Sequence, residues 1–137
     1  MRTHLFGALV ISAALMVAGC GSSETGSAPS GSSAADPAAF LNPYNASDLT
    51  KMITDAGLPL PNLHDATAQD CPRIGCTDKL DADPVSVMTF PNTGSAQRYV
   101  GATRHSFQLF NIAMVFAPSV TPDRQHAYED VVTHAVQ

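Results

Sequence analysis

The sequence predicts an α+β fold: one small domain, a sandwich of about three helices on a short mixed β-sheet. Three observations predict it. Apolar residues recur at i, i+3, i+4 and i+7 in three separate stretches, the spacing of a helix face. Two further stretches are apolar over strand lengths. The chain has 137 residues, and only positions 37–137 have the composition of folded protein, which allows one core and not two. With 45% hydrophobic and 14% charged residues, disorder is excluded as a description of the whole.

The first element is an address. Met1 to His4 is a short basic start, Leu5 to Val17 is almost wholly apolar, and Val17-Ala18-Gly19-Cys20 follows. This is the layout of a secretory signal over 1–19. Its end, a small pair followed directly by cysteine, resembles the lipobox of bacterial lipoproteins. The resemblance implies a diacylglycerol on Cys20, cleavage before it, and acylation of the new amine. The apolar run is too short to span a bilayer: as helix it reaches about 20 Å, against a hydrocarbon core of about 30 Å. One acyl chain holds only marginally, whereas two or three anchor stably, at about 0.8 kcal/mol per buried methylene. The expected product is anchored to the extracytoplasmic face of the cell membrane by its N-terminal acyl chains, with no spanning segment. Residues 21–36, GSSETGSAPSGSSAAD, are rich in Ser and Gly and read as a tether. A chain of that composition reaches roughly 20–24 Å. The folded domain is expected over 37–137.

Within it, Asn45 or Ser47 caps a first helix whose face is Leu49, Met52, Ile53 and Ala56, with Gly57 and Pro59 ending it. A short strand fits between Ala66 and Leu80. Pro84 to Phe90 is a strand with Val85, Val87 and Thr89 on one face and Ser86, Met88 and Phe90 on the other. A second helix follows Asn92 or Thr93, with Ala96, Tyr99, Val100 and Thr103 inward. Phe107 to Phe116 reads as one strand, apolar on both faces and therefore central, lying parallel to the preceding one across a right-handed crossover. Thr121 caps the last helix, Pro122 opens it, and Tyr128, Val131, Val132 and Ala135 form its core stripe.

Few residues carry chemistry. Cys71-Pro-Arg-Ile-Gly-Cys76 is read as a structural disulfide, since Cys20 is taken by lipid and an even pair remains in an oxidising compartment. The alternative is a thiol-redox site. That chemistry favours Cys-x-x-Cys at a helix N-terminus, and neither the spacing nor a helix is expected here. Zinc would want a second cysteine pair. His126, Asp130 and His134 share one helical row, but eight residues separate the imidazoles by about 12 Å, too far to share one ion. The row is expected to face water, with no metal. Asp78, Asp81 and Asp83 are read as turn chemistry, lacking the Gly and distal Glu of a calcium loop. No nucleophile elbow or phosphate-binding loop is present, so no catalytic residue and no cofactor is assigned. Seven Lys and Arg against twelve Asp and Glu argue against a nucleic-acid partner.

The stretch from Cys71, through Val85-Ser-Val-Met-Thr-Phe-Pro91, Ala96-Gln-Arg-Tyr99 and Phe116-Ala-Pro118, resembles small lipoproteins of mycobacteria and related actinobacteria. The resemblance covers roughly residues 58 to 137 plus the lipobox. It implies location and fold, and it carries no catalytic residue. The function expected is a non-catalytic envelope module that binds a protein, lipid or glycan; the alternative is a small redox enzyme using Cys71 and Cys76.

Overall fold

The computed structural model describes residues 41–137. The signal at 1–19, Cys20, the tether and the expected domain start at Pro37 lie outside the described residues. Those described form a mixed α+β domain with four helices and a five-stranded, wholly antiparallel sheet. No described helix is long and apolar enough to cross a membrane.

Helix α1 spans Ala46–Asp55. Asn45 and Asp48 make a reciprocal capping box, each side chain accepting from the other's backbone N–H, at 2.9 and 3.2 Å. At its end Gly57 takes φ +81°, a conformation glycine adopts without steric cost, and Leu58 N–H reaches back to the Ile53 carbonyl at 3.1 Å. Leu49 and Ile53 of the expected face are fully buried; Met52 is half-buried and Ala56 exposed.

Strand β1 (His64–Asp65), helix α2 (Thr67–Ile74) and strand β2 (Asp78–Asp81) occupy the stretch where a single short strand was expected. The helix has no clear sequence signature, because Pro72 lies inside it and eight residues show too little period. Strand β3 (Val85–Thr89) has the expected facing. Helix α3 (Thr93–Gly101) is capped by Asn92, which accepts from Ser95 N–H at 2.8 Å.

The stretch 107–116 is not one strand. It is a hairpin, β4 (Ser106–Leu109) and β5 (Ile112–Phe116), turning at Phe110-Asn111. The sheet order is β1-β2-β3-β5-β4. Strand β5 therefore pairs antiparallel with β3, and the expected parallel neighbour is corrected. Strand β4 does run parallel to β3, but one strand removed, because both are antiparallel to β5. The two-residue turn also switches side-chain parity. Phe107 and Leu109 share a face with Ile112, Met114 and Phe116, where an unbroken strand would have opposed them.

Helix α4 (Pro122–Val136) opens on Pro122 with Thr121 as cap. Two cores result, one on each face of the sheet. Leu49 and Ile53 of α1 and Tyr128 and Val132 of α4 pack with Val85, Val87, Ile112, Met114 and Phe116. On the other face Ala96 of α3 packs with Met88, Phe90 and Ala113, flanked by Tyr99, Val100, Ile74 and Cys76. The layers are thus helix, sheet, helix. Tyr128 and Val132 are fully buried; Val131 and Ala135 of the expected stripe are half-buried.

Candidate functional site

The cysteines and the charged groups nearest them meet where α2 lies on β2. Asp65 Oδ1 accepts from Thr67 N–H at 2.7 Å and starts the helix. Thr67 Oγ1 accepts from Lys79 N–H at 2.9 Å and donates to Lys79 O at 3.2 Å, fixing the helix start to the strand. Gly75 ends the helix in the left-handed conformation, φ +79°, with its N–H on the Cys71 carbonyl at 2.8 Å. Cys71 and Cys76 then stand at disulfide-bonding distance, their Cα atoms 4.6 Å apart.

A helix is therefore present at the cysteine pair, contrary to the expectation from sequence, but with the wrong polarity for a reactive thiol. Cys71 is the fifth of eight residues and Cys76 lies beyond the C-terminus, where the helix dipole disfavours a thiolate. Cys71 is also buried. The two sulfurs lie where a bridge can close across the C-terminal end of α2. Cys71→Ser should lower stability by about 2 kcal/mol without abolishing the fold, because the closed loop is short. Denaturant titration of the two proteins checks this; an unchanged midpoint would contradict it.

Beside the cysteines, Lys79 is only 8% exposed and lies between two carboxylates. Its Nζ donates to Asp70 of α2 and, at 2.9 Å, to Asp81 Oδ2. Burial alone would pull the ammonium down, but the hydrogen bonds and charges of Asp70 and Asp81 outweigh it and hold Lys79 above its ordinary 10.5. Asp70 is held below its ordinary 3.8, first by the hydrogen bond from Lys79, then by that from Arg73. Asp65 is likewise lowered by its hydrogen bonds from Thr67. A depressed carboxylate stabilises above its unfolded value and loses that contribution as pH falls through the folded one. A raised lysine stabilises below its unfolded value and loses it as pH rises through the folded one. The cluster should hold across the neutral range. The melting-temperature gap between wild type and Lys79→Met should be flat from about pH 5 to pH 9 and shrink at both extremes. In that window the substitution should cost about 1–2 kcal/mol, between the values for exposed and fully buried pairs. A gap independent of pH would remove the ion pair as its cause.

The three turn aspartates have separate tasks. Asp78 is not in a turn: it opens β2 and reaches the N-terminus of α1, with Oδ2 accepting from Ala46 N–H at 2.7 Å and Oδ1 accepting from the Thr89 hydroxyl. Asp81 ends β2 on Lys79, and Asp83, in the β2–β3 turn, accepts from Asn62 Nδ2 at 2.8 Å. Asp78 and Thr89 are adjacent in register but eleven residues apart in sequence, so no local pattern could show this contact.

His126, Asp130 and His134 are exposed. His126 Nδ1 lies 3.1 Å from Glu129, not from Asp130. Among the described residues no three His, Cys, Asp or Glu side chains are grouped to hold a metal. Open depressions lie on the surface of the described residues. One of about 300 Å³ lies between α2 and α3, lined by Ile74, Gly75, Ser95, Arg98 and Tyr99. Another, of about 240 Å³, lies beside Tyr128, whose hydroxyl donates to the Pro59 carbonyl at 2.7 Å. No family model, no curated protein and no solved structure matches the chain.

Proposed function

We propose that this protein is a lipid-anchored lipoprotein of the extracytoplasmic membrane face, a non-catalytic binding or accessory module. The observation that carries the reading is Val17-Ala18-Gly19-Cys20 at the end of an apolar run behind a basic start. A cysteine pair at disulfide distance supports it, since such pairs persist outside the cytoplasm. So does the use of buried polar groups among the described residues in holding the fold: Asp78 caps a helix, and Lys79 joins α2 to the sheet. Its partner is an envelope protein, lipid or glycan presented at the membrane. The resemblance to mycobacterial lipoproteins rests on the residues quoted for it and belongs to the same proposal.

The second reading, thiol-redox catalysis through Cys71 and Cys76, keeps only the cysteine pair in its favour. Thiol titration before and after mild reduction separates the two, because a structural bridge resists reduction and supports no turnover. The anchoring is tested by Cys20→Ala, followed by separation of membrane and soluble fractions and mass spectrometry of the N-terminus. The wild type should carry acyl groups on Cys20 and pellet with membranes, and the variant should not. Equal retention of a variant with a cleaved N-terminus would defeat the reading.

A further inference from the structure

The two edges of the sheet differ. Strand β1 has two residues, one of them Asp65, and shortness and charge are what keep an edge from pairing with another chain. Strand β4 is longer and reads Ser106-Phe107-Gln108-Leu109, with no charge and no proline. The ladder fixes which of its main-chain groups face outward. Phe116 N–H donates to the His105 carbonyl at 2.8 Å, so by alternation Phe107 and Leu109 also turn their N–H and C=O groups toward β5. Those of Ser106 and Gln108 point away from it and have no main-chain partner among the described residues. Their side chains are engaged elsewhere. Ser106 Oγ donates to the Thr103 carbonyl at 2.7 Å, and Gln108 Nε2 donates to the carbonyls of Thr93 and Phe110 at 3.2 and 2.9 Å. On the other face Phe107 and Leu109 pack against the α1–α4 core yet stay half-buried, because the sheet stops at β4. Helix α3 is seated inward of the edge: its buried Ala96 packs on Met88, Phe90 and Ala113, on the β3–β5 side.

We propose that β4 is the seam of a twofold homodimer, in which β4 of one copy pairs antiparallel with β4 of a second copy and the two sheets become one. Such a pairing must set outward residues opposite outward residues. The twofold axis can then pass beside Ser106, Phe107 or Gln108. An axis at Ser106 sets Gln108 against Arg104, and one at Gln108 sets Ser106 against Phe110. Both Arg104 and Phe110 lie outside the strand, where His105 at φ +53° and Phe110 at φ +52° bend the chain out of extended geometry. The axis at Phe107 alone keeps every outward group within the two strands. Ser106 then exchanges N–H and C=O bonds with Gln108 of the partner subunit, and Gln108 does the same with Ser106 of the partner subunit. It also sets Phe107 opposite Phe107 of the partner subunit, at the close spacing of a pair without main-chain bonds, so the two rings carry the apolar layer across the seam. The edge is therefore complementary to itself, as an isologous interface requires, and this selects a second copy over an unrelated strand. The pairing needs no acyl group, so it stands whether or not Cys20 is lipidated.

Two measurements on the full chain test this. Sedimentation equilibrium with detergent micelles in excess should show a monomer–dimer equilibrium for the wild type. Gln108→Pro removes an outward N–H that the monomer does not use, so it should keep the wild-type circular dichroism and weaken the dimer at least tenfold. Gln108→Ala loses the same side chain but keeps the N–H, and should still dimerise. The second measurement does not depend on the proline variant folding. Phe107→Cys should link to its own copy under mild oxidation of intact membranes, several-fold more than Leu109→Cys, which the register sets far from its counterpart. A wild type that stays monomeric at every concentration overturns the proposal. So does a dimer that a folded Gln108→Pro chain retains, or equal linking at 107 and 109, because the contact then lies on another surface or in another register. If the Phe107→Cys chain links only to a different polypeptide, the edge serves an unrelated strand and the homodimer falls.

Discussion

Val132→Asp should unfold the domain. Val132 is fully buried on α4, in the core that joins α1, α4 and one sheet face. A carboxylate there has no cation among the core residues to meet it, and burying an unpaired charge costs several kcal/mol. Total stability of a domain this size is about 5–15 kcal/mol, so the loss is a large share of it. The neighbouring Val131→Asp is the informative contrast. Val131 is half-buried, and its carboxylate can turn toward water, so a folded but weakened protein should result. Circular dichroism and thermal melting distinguish them. Equal effects from the two substitutions would mean that α4 is rotated from the position described.

The second large effect is expected at Asn111. Its side chain is buried and makes three hydrogen bonds that span the fold, two from Asn42 and one to Phe90. Asn111→Ala leaves the Asn42 backbone N–H, the Asn42 amide and the Phe90 carbonyl with fewer partners. At roughly 1–3 kcal/mol for a buried group left unsatisfied, and with partial relief by water, a loss of about 3 kcal/mol follows. Segment 41–45 should also become more accessible to protease, since its anchor to the hairpin is gone. Chemical denaturation and limited proteolysis check both outcomes. A change below about 0.5 kcal/mol, the size of an ordinary surface substitution, would contradict the network.

What was legible in the sequence divides by range. Helices α1, α3 and α4 announce themselves because cap, period and stop lie within a few residues of one another: Asn45 with Leu49 and Ile53, Asn92 with Ala96, Thr121-Pro122 with Tyr128 and Val132. Strand β3 showed its two faces by alternation alone. Helix α2 did not, since Pro72 and the short length hide it. The β4–β5 hairpin did not either, because Phe-Asn is a poor turn signature and the apolar run continues across it. Missing that turn led to the expected parallel pairing, and with it the mixed sheet.

The candidate site follows the same division. The nearness of Cys71 and Cys76 is local, and four residues with a Pro and a Gly bring them together. The exposure of His126, Asp130 and His134 was readable from helical angle once the core stripe was identified. In contrast, Asp78 at the α1 N-terminus, Asp70 on Lys79, and Asn42 on Asn111 join residues 32, 9 and 69 positions apart. A side chain such as Asp or Asn has no periodic signature, and its partner is decided by which strands become neighbours. By itself the sequence determined the class of fold, the position of its core helices and the close cysteine pair, because these depend on interactions within a turn or two of chain. Only the tertiary structure decided the strand order, the faces of the hairpin and the partners of the buried polar groups, because each depends on long-range pairing that local periodicity does not encode.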